Sequence, residues 1–278
     1  MVQMFNLRLI RPTDVEFHVE VLAFLIQTNG LPTRPSLPIE QRMSKGFETL
    51  AYKDGDTRSV FDWAEDSFGT LIAACQMEEF SLCLVANDGG LDANQIAAQR
   101  RLDVLAAGQN PYYRPSMTPI LYDPRNATEP GHFSATTLLQ LGELRAAGFK
   151  SRTPLSPLQT RMVTIIAAVY NGQGFVLAHL LRQVSAYLTP QSNRRAVPHK
   201  TIIEALCFST CLALRARGET QAQIMENYGP TMPKLFRRQI RKACRQINRR
   251  GEALETLQKI TSDEPQIGSL RHRAKHIA

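Results

Sequence analysis

Residues 215–250 read RARGETQAQIMENYGPTMPKLFRRQIRKACRQINRR, and this stretch carries the clearest structural pattern in the chain. A short helical segment, opened by Glu219 and Thr220, leads to a turn at Tyr228-Gly229, because glycine just past a helix end is a common stop. A second helix follows, with Thr231 as its cap and proline at an early position. The stretch therefore predicts two short helices joined by a tight turn.

The second predicted helix is both amphipathic and basic. Apolar residues recur along it at spacings of three and four, which predicts one buried stripe. That stripe consists of Leu235, Phe236, Ile240, Ala243, Cys244 and Ile247. On the first helix the inward residues are predicted to be Ala222, Ile224 and Met225. No acidic residue falls between positions 234 and 250, so the remaining face is predicted to be uniformly cationic.

These cations are the candidate nucleic-acid contacts. The set comprises Lys234, Arg237, Arg238, Arg241, Lys242, Arg245, Arg249 and Arg250, together with Arg194 and Arg195 from a polar break upstream. A cationic helix neutralises phosphates and releases their counterions, so its affinity falls steeply with salt. The alternative interpretations are a solvated face at the end of a helical bundle and a surface for an acidic protein partner.

The segment GETQAQIMENYG-PTMPKLFRRQIRKACRQI resembles the helix-turn-helix of sigma-factor and response-regulator DNA-binding domains. The matching positions are Gly218, Thr220, Ile224, Tyr228-Gly229, Thr231, Leu235, Ile240 and Ala243. The resemblance implies that the second helix enters the major groove, with contacts from Lys234, Arg237, Arg238 and Arg241. It covers about 35 of the 278 residues. It departs from the family pattern at Pro230, where an apolar residue is usual, and by an extra residue before Ile240.

The net positive charge of the chain is concentrated in the region that contains this stretch. The net charge is +8, yet residues 1–192 carry a net of −2 and residues 193–278 a net of +10. The basic character thus belongs to the last third, as expected if one region contacts a polyanion.

Helical periodicity dominates the rest of the chain. The best patterns cover residues 14–27, 59–77, 92–107, 135–147, 158–188 and 201–216, with a shorter one at 43–52. Ser134 is the predicted cap of the fourth, Gly148 its predicted end, and a glycine pair at 172 and 174 interrupts the fifth. The predicted class is an all-α multi-helix bundle in two helical lobes, 1–130 and 131–278, the second ending in the helix-turn-helix-like segment. The hairpin over 158–188 is its predicted core.

Two kinds of segment depart from that helical pattern. The proline-rich stretches 32–38 and 109–131 are predicted to be extended linkers, arms or loops. The compact apolar run 79–86 fits a strand or a buried helix equally well.

The arrangement of cysteines, carboxylates and histidines in the sequence predicts neither a metal site nor a catalytic site. The five cysteines have no ligand spacing, and Cys207 and Cys211 are interpreted as small buried hydrophobes. The carboxylates around Asp54 to Asp66 do not follow a calcium-loop pattern. No catalytic motif is present, so we expect neither an enzyme nor a cofactor. His179 is interpreted as a core histidine.

Three functions follow as hypotheses. The first is a DNA-binding transcription or replication regulator, and the second is a viral-type nucleoprotein or coat protein that oligomerises on single-stranded RNA. The third, an enzyme, lacks a supporting motif. The absence of a long apolar run predicts no membrane partner, and the lack of a secretory signal favours a cytoplasmic, nucleoid-associated or virion-associated protein. We also expect the protein to form homo-oligomers, as the nucleoprotein hypothesis requires.

Overall fold

The computed structural model describes residues 10, 12–33, 60–87, 106, 114, 116–124, 130–151, 154–183, 199–230, 232 and 234–262. Over these ranges the chain forms ten helices and two strands. They are α1 (Pro12–Asn29), α2 (Val60–Ala74), β1 (Leu82–Ala86), β2 (Thr118–Tyr122), α3 (Pro130–Arg145), α4 (Ala147–Lys150), α5 (Pro157–Tyr170), α6 (Gly174–Gln183), α7 (His199–Ala216), α8 (Gln221–Tyr228), α9 (Lys234–Asn248) and α10 (Gly251–Ser262). The predicted helical class is confirmed.

Helix α5 forms the centre of the hydrophobic core. Every residue from 162 to 170 is buried, and the helix packs against α1, α3, α6 and α7. One continuous cluster of buried side chains extends from Ile10 to Leu257 and draws on elements from both sides of residue 130. The predicted core at the α5–α6 hairpin is therefore confirmed over its described residues, while the division into two lobes stays a prediction.

Local sequence signals set several of the helix ends. Ser156 accepts a hydrogen bond from the amide of Gln159, whose side chain in turn accepts one from the Ser156 amide, and Pro157 takes the first helical position. This reciprocal capping satisfies two amides that the helix leaves without partners. The predicted break between α5 and α6 occurs at Gly172, which has a φ of 74°. Such a positive φ suits glycine because it has no Cβ.

The proline-rich stretch 109–131 is not only a loop, and that prediction was wrong in part. It contains β2, which pairs in parallel with β1 so that Leu84 lies opposite Ile120. The side-chain amide of Gln140, on α3, accepts a hydrogen bond from the Leu121 amide at 2.9 Å and donates one to the Leu121 carbonyl at 2.7 Å. Gln140 thus satisfies the outer backbone edge of β2 as a third strand would.

The predicted boundaries of the fourth helix were also wrong. Helix α3 begins at Pro130, so Ser134 lies inside it, buried, rather than at its cap. It ends at Arg145, and Gly148 lies within α4 instead of ending the helix. Proline is favoured at the first helical position because its fixed φ suits a helix start, so the helix begins at Pro130 rather than after Ser134.

Some sequence predictions fall outside the described residues. They concern the helix at 43–52, most of the helix at 92–107, most of the linker at 32–38 and the cap predicted at Thr231. None of the described helices is long and apolar enough to cross a membrane.

Candidate nucleic-acid interface

Helix α8 is the first of the two helices predicted from residues 215–250. Thr220 caps it reciprocally with Gln223, as Ser156 caps α5. Ile224 is fully buried, and the ring of Tyr228 lies 5.6 Å from that of Phe175 on α6. Ala222 is exposed, so its predicted inward position was wrong. An eight-residue helix buries only a narrow stripe, and Ile224 and Tyr228 already form it.

The turn after α8 uses its glycine for a close approach. The helix ends at Tyr228 with Gly229 just past its end, as predicted, and Gly229 has a right-handed φ of −62°. A Cβ at this position would clash with the carbonyl oxygen of Met225. Within the turn Met232 is buried, whereas Pro230 is exposed. The turn therefore requires glycine because no side chain fits, and it leads directly into α9.

The inner face of α9 packs against α7. Five of its six predicted apolar residues are buried, namely Phe236, Ile240, Ala243, Cys244 and Ile247. The exception is Leu235, which is 47% exposed. Adjacent residues point about 100° apart on a helix, so Leu235 and Phe236 cannot both face the centre of the same contact.

Two glutamines complete the inner face, and sequence analysis missed both. Gln239 lies 3.5 Å from the sulfur of Cys207 on α7. The side chain of Gln246 donates a hydrogen bond to the Ile10 carbonyl at 2.7 Å and accepts one from the Ile10 amide at 3.2 Å. Their spacing of seven, on the same side as Ala243, is the sequence signal that could have identified them. Gln246 fixes α9 to the chain just before α1.

The outer face of α9, together with Arg249 just past its end, carries seven exposed cations, and we call this surface the basic face. Its members are Lys234, Arg237, Arg238, Arg241, Lys242, Arg245 and Arg249. At about 100° per residue they fall within an arc of about 140°, and at 1.5 Å per residue the row is about 22 Å long. The structure thus brings together seven of the ten candidate contacts.

The other three candidate contacts do not join this face in the described structure. The Arg250 guanidinium lies 3.4 Å from the Glu16 carboxylate and so faces α1. Arg194 and Arg195 lie outside the described residues.

The charges of the basic face are not compensated by nearby carboxylates. Within the described part of the chain, none of its seven side chains makes an ion pair or a hydrogen bond. Five like-charged pairs stand four residues apart, beginning with Lys234 and Arg238. Each such pair destabilises a helix by about 0.2–0.5 kcal/mol. The first turn contains no acidic residue to interact with the helix dipole. A polyanion bound along this face would reduce the repulsion between these pairs and would also interact favourably with the helix dipole.

Three of the five cysteines lie beneath the basic face, Cys207 and Cys211 on α7 and Cys244 on α9. All five cysteines are buried and none forms a disulfide, and the burial of Cys207 and Cys211 agrees with the prediction. Burial raises the pKa of the Cys211 thiol well above its ordinary range, so this thiol stays neutral. Over the described ranges no group of three or more His, Cys, Asp or Glu side chains could hold a metal ion. The half-buried His179 stacks on Phe236 with ring centres 6.4 Å apart, in agreement with a core role.

The arrangement can bind phosphates without contributing reactive chemistry. Arginine presents a planar fork of donors that matches two phosphate oxygens, and five of the seven cations are arginines. No protein-family model, curated protein or solved structure matches the chain.

Proposed function

We propose that this protein binds nucleic acid through the basic face of α9 and acts as a DNA-binding transcription or replication regulator. The observation that carries the proposal is the row of seven exposed cations, none of which pairs with a carboxylate among the described residues. A merely soluble surface mixes both signs of charge, whereas this row has one sign and imposes repulsion on its own helix. The protein acts by binding, not by catalysis.

The dimensions of α9 support a duplex as the target. The major groove of B-DNA is about 12 Å wide and admits an α-helix. In the proposed complex α9 is the recognition helix of a helix-turn-helix, α8 is the helix before it, and α7 supports both. The exposed Leu235 borders the basic face and offers an apolar contact for a thymine methyl group.

The proposal includes self-association and a compartment. Helix-turn-helix proteins commonly bind as dimers to two half-sites about one helical turn apart, so we propose a homo-oligomer on DNA. We place it in the cytoplasm, at the nucleoid or other nucleic acid, with no membrane partner.

Salt dependence gives the first test. The full chain is titrated into a labelled duplex of about 20 base pairs, and fluorescence anisotropy is followed at several salt concentrations. With about six phosphate contacts the slope of log K against log salt is about −5, so affinity falls about 1,000-fold between 50 and 200 mM salt. A slope near zero would contradict the proposed interface.

A charge-reversal variant gives the second test. The triple variant R237E, R238E, R241E removes three contacts and adds three repulsions, so we expect binding at least about 100-fold weaker. The three positions are exposed, so circular dichroism and the thermal midpoint should change little. The matched control is R114E, R161E, K259E, which changes the net charge equally at exposed positions off the basic face. Equal losses in both variants, or unchanged affinity in the first, would remove α9 as the interface.

The nucleoprotein hypothesis predicts a different outcome in the same titration. Assembly on single-stranded RNA that grows with strand length, monitored by light scattering, would favour it over a regulator. Saturable complexes on duplex DNA, with one or two chains per site, would favour the regulator.

A further inference from the structure

The side chains of the basic face are all hydrogen-bond donors. Lysine and arginine carry N–H groups and have no acceptor, so none of the seven cations can accept a hydrogen bond. The two other side chains that α9 exposes add little acceptor capacity. Leu235 is apolar, and Oδ1 of Asn248 already accepts a hydrogen bond from Nη2 of Arg215 at 3.2 Å. The surface therefore favours a ligand that presents acceptors and disfavours one that presents donors.

The bases of duplex DNA differ in the groups that they present to such a surface. In the major groove guanine offers two neighbouring acceptors, O6 and N7, whereas adenine places its N6 donor beside N7. Cytosine presents an N4 donor, and thymine presents one acceptor, O4. The planar fork of arginine carries N–H groups that match the two acceptors of guanine. Guanine is therefore the base most complementary to the basic face.

Two arginines in the first half of α9 lie close to the middle of the basic face. At about 100° per residue, Arg238 and Arg241 lie on opposite sides of the centre of the arc, each about 30° from it. Arg237 and Lys242 lie at the two edges, each about 70° from the centre. When a helix lies in the major groove, the middle of its outer face points toward the base edges and its sides face the phosphates.

The two other central cations are less suited to contact bases. Lys234 is a compact point charge without the fork of arginine. Arg245 lies in the second half of α9, whereas base contacts in helix-turn-helix proteins come from the N-terminal residues of the recognition helix. Arg238 and Arg241 are separated by about 4.5 Å along the helix axis, close to the spacing of about 3.4 Å between successive bases of one strand.

We propose that the basic face recognises guanine in the major groove, with Arg238 and Arg241 each donating hydrogen bonds to O6 and N7 of one guanine. This inference rests on the proposed function and deepens it, because it names the class of duplex site that the protein prefers. The remaining cations bind phosphates and supply the affinity that falls with salt. The preferred site contains guanines that are neighbours, or nearly so, on one strand.

Chemically modified guanine tests the inference. The full chain is titrated by fluorescence anisotropy into duplexes of about 20 base pairs that share their flanks and differ at the centre. The centre is a short run of guanine, of 7-deazaguanine or of adenine. In 7-deazaguanine a C–H group replaces N7, so an acceptor is lost while the pairing with cytosine and the phosphate charge are kept. We expect the guanine run to bind at least about tenfold tighter than either of the other two.

Three single variants locate the guanine contacts. Arg238→Ala, Arg241→Ala and the matched control Arg237→Ala each remove one charge from an exposed position of α9, so each should weaken binding to all three duplexes. The decisive quantity is the ratio of the affinities for guanine and 7-deazaguanine. We expect Arg238→Ala and Arg241→Ala each to lower this ratio at least about threefold, whereas Arg237→Ala should keep the ratio of the wild type.

The possible outcomes separate this inference from the proposed function. Salt-dependent binding that is equal on the three duplexes, or tighter on the adenine run, would overturn guanine recognition and leave duplex binding standing. A wild-type ratio in both Arg238→Ala and Arg241→Ala, or an equal loss in Arg237→Ala, would overturn the assignment of the contacts. Absence of binding to every duplex would remove the inference together with the proposed function.

Discussion

At the scale of single residues, Gly142 determines how closely α3 can approach α5. A Cβ at this position would lie 2.7 Å from the carbonyl oxygen of Thr164 and 3.1 Å from the amide nitrogen of Ala168, both backbone atoms of α5. Backbone atoms cannot rotate away as a flexible side chain can, so the two helices would have to separate. Gly142 is therefore a contact residue of the core.

We expect Gly142→Ala to lower the free energy of unfolding by about 1–3 kcal/mol, the usual cost of overpacking. Gly69→Ala is the matched control, because Gly69 lies in α2, is exposed, and has no atom within 4 Å of its added Cβ. There the same substitution should stabilise by about 0.5–1 kcal/mol, since alanine loses less backbone entropy in a helix. Urea unfolding measures both changes. Two changes of the same sign would contradict the close packing of α3 on α5.

The close packing at Gly142 could not be predicted from the sequence. Its neighbours along the chain, Leu141 and Glu143, give no sign of special packing, because the atoms it contacts belong to another helix. The basic face is different, since spacing within one helix was enough to predict that its seven cations share one side. Surface patterns within an element can be read from sequence, whereas contacts between elements cannot.

At the scale of elements, His18 joins α1 to α7 and makes that contact sensitive to pH. Its pKa is lowered from 6.5 to about 4, mainly by burial, which the nearby Asp14 charge offsets only in part. Between these two values the unfolded chain binds a proton that the folded protein does not, so stability falls as the pH decreases from about 6.5 to about 4. The full effect of this one group is about 3 kcal/mol, at about 1.4 kcal/mol per unit of pKa.

We expect His18→Gln to reduce this loss of stability, because glutamine does not bind a proton in that range. The matched control is His132→Gln at the half-buried start of α3, the same substitution away from the contact between α1 and α7. Urea unfolding at a series of pH values between 4 and 7 compares the slopes. An unchanged slope in His18→Gln would show that α1 and α7 are not joined through a neutral histidine.

The elements themselves were predictable to different degrees. Helices α1, α5, α7 and α9 follow from local periodicity, because their buried stripes recur within one stretch of chain. The pairing of β1 with β2 does not, since it joins residues 82–86 to 118–122 and depends on Gln140 of α3 for its outer edge. A cavity of about 680 Å³ between the first turns of α1, α5 and α7 was equally unpredictable, because three helix starts distant in sequence form it.

At the scale of the whole molecule, the two ends of the described chain are fastened together. The Gln246 side chain makes two hydrogen bonds to the backbone of Ile10, 236 positions away. The Arg250–Glu16 ion pair and the packing of α1 on α10 reinforce this contact. Ile10 also lines the cavity, so the helix that carries the basic face holds part of the cavity wall in place.

The variant Gln246→Leu tests whether the two parts of the chain joined by this contact unfold as one cooperative unit. The substitution removes a partner from the Ile10 amide and carbonyl, and each buried group left without one costs about 1–3 kcal/mol. Gln239→Leu is the matched control, the same change on the same helix face, where only a long contact to the Cys207 sulfur is lost. We expect a clearly smaller loss there, below about 1 kcal/mol, because contacts to thiols are weak.

Hydrogen exchange shows which helices lose amide protection in the Gln246→Leu variant. Because α1 contributes to the same buried cluster as α5 and α7, its amides should lose protection together with theirs. Faster exchange in α1 alone, with α5 and α7 unchanged, would instead indicate two units that unfold separately, with a boundary near the one predicted at residue 130.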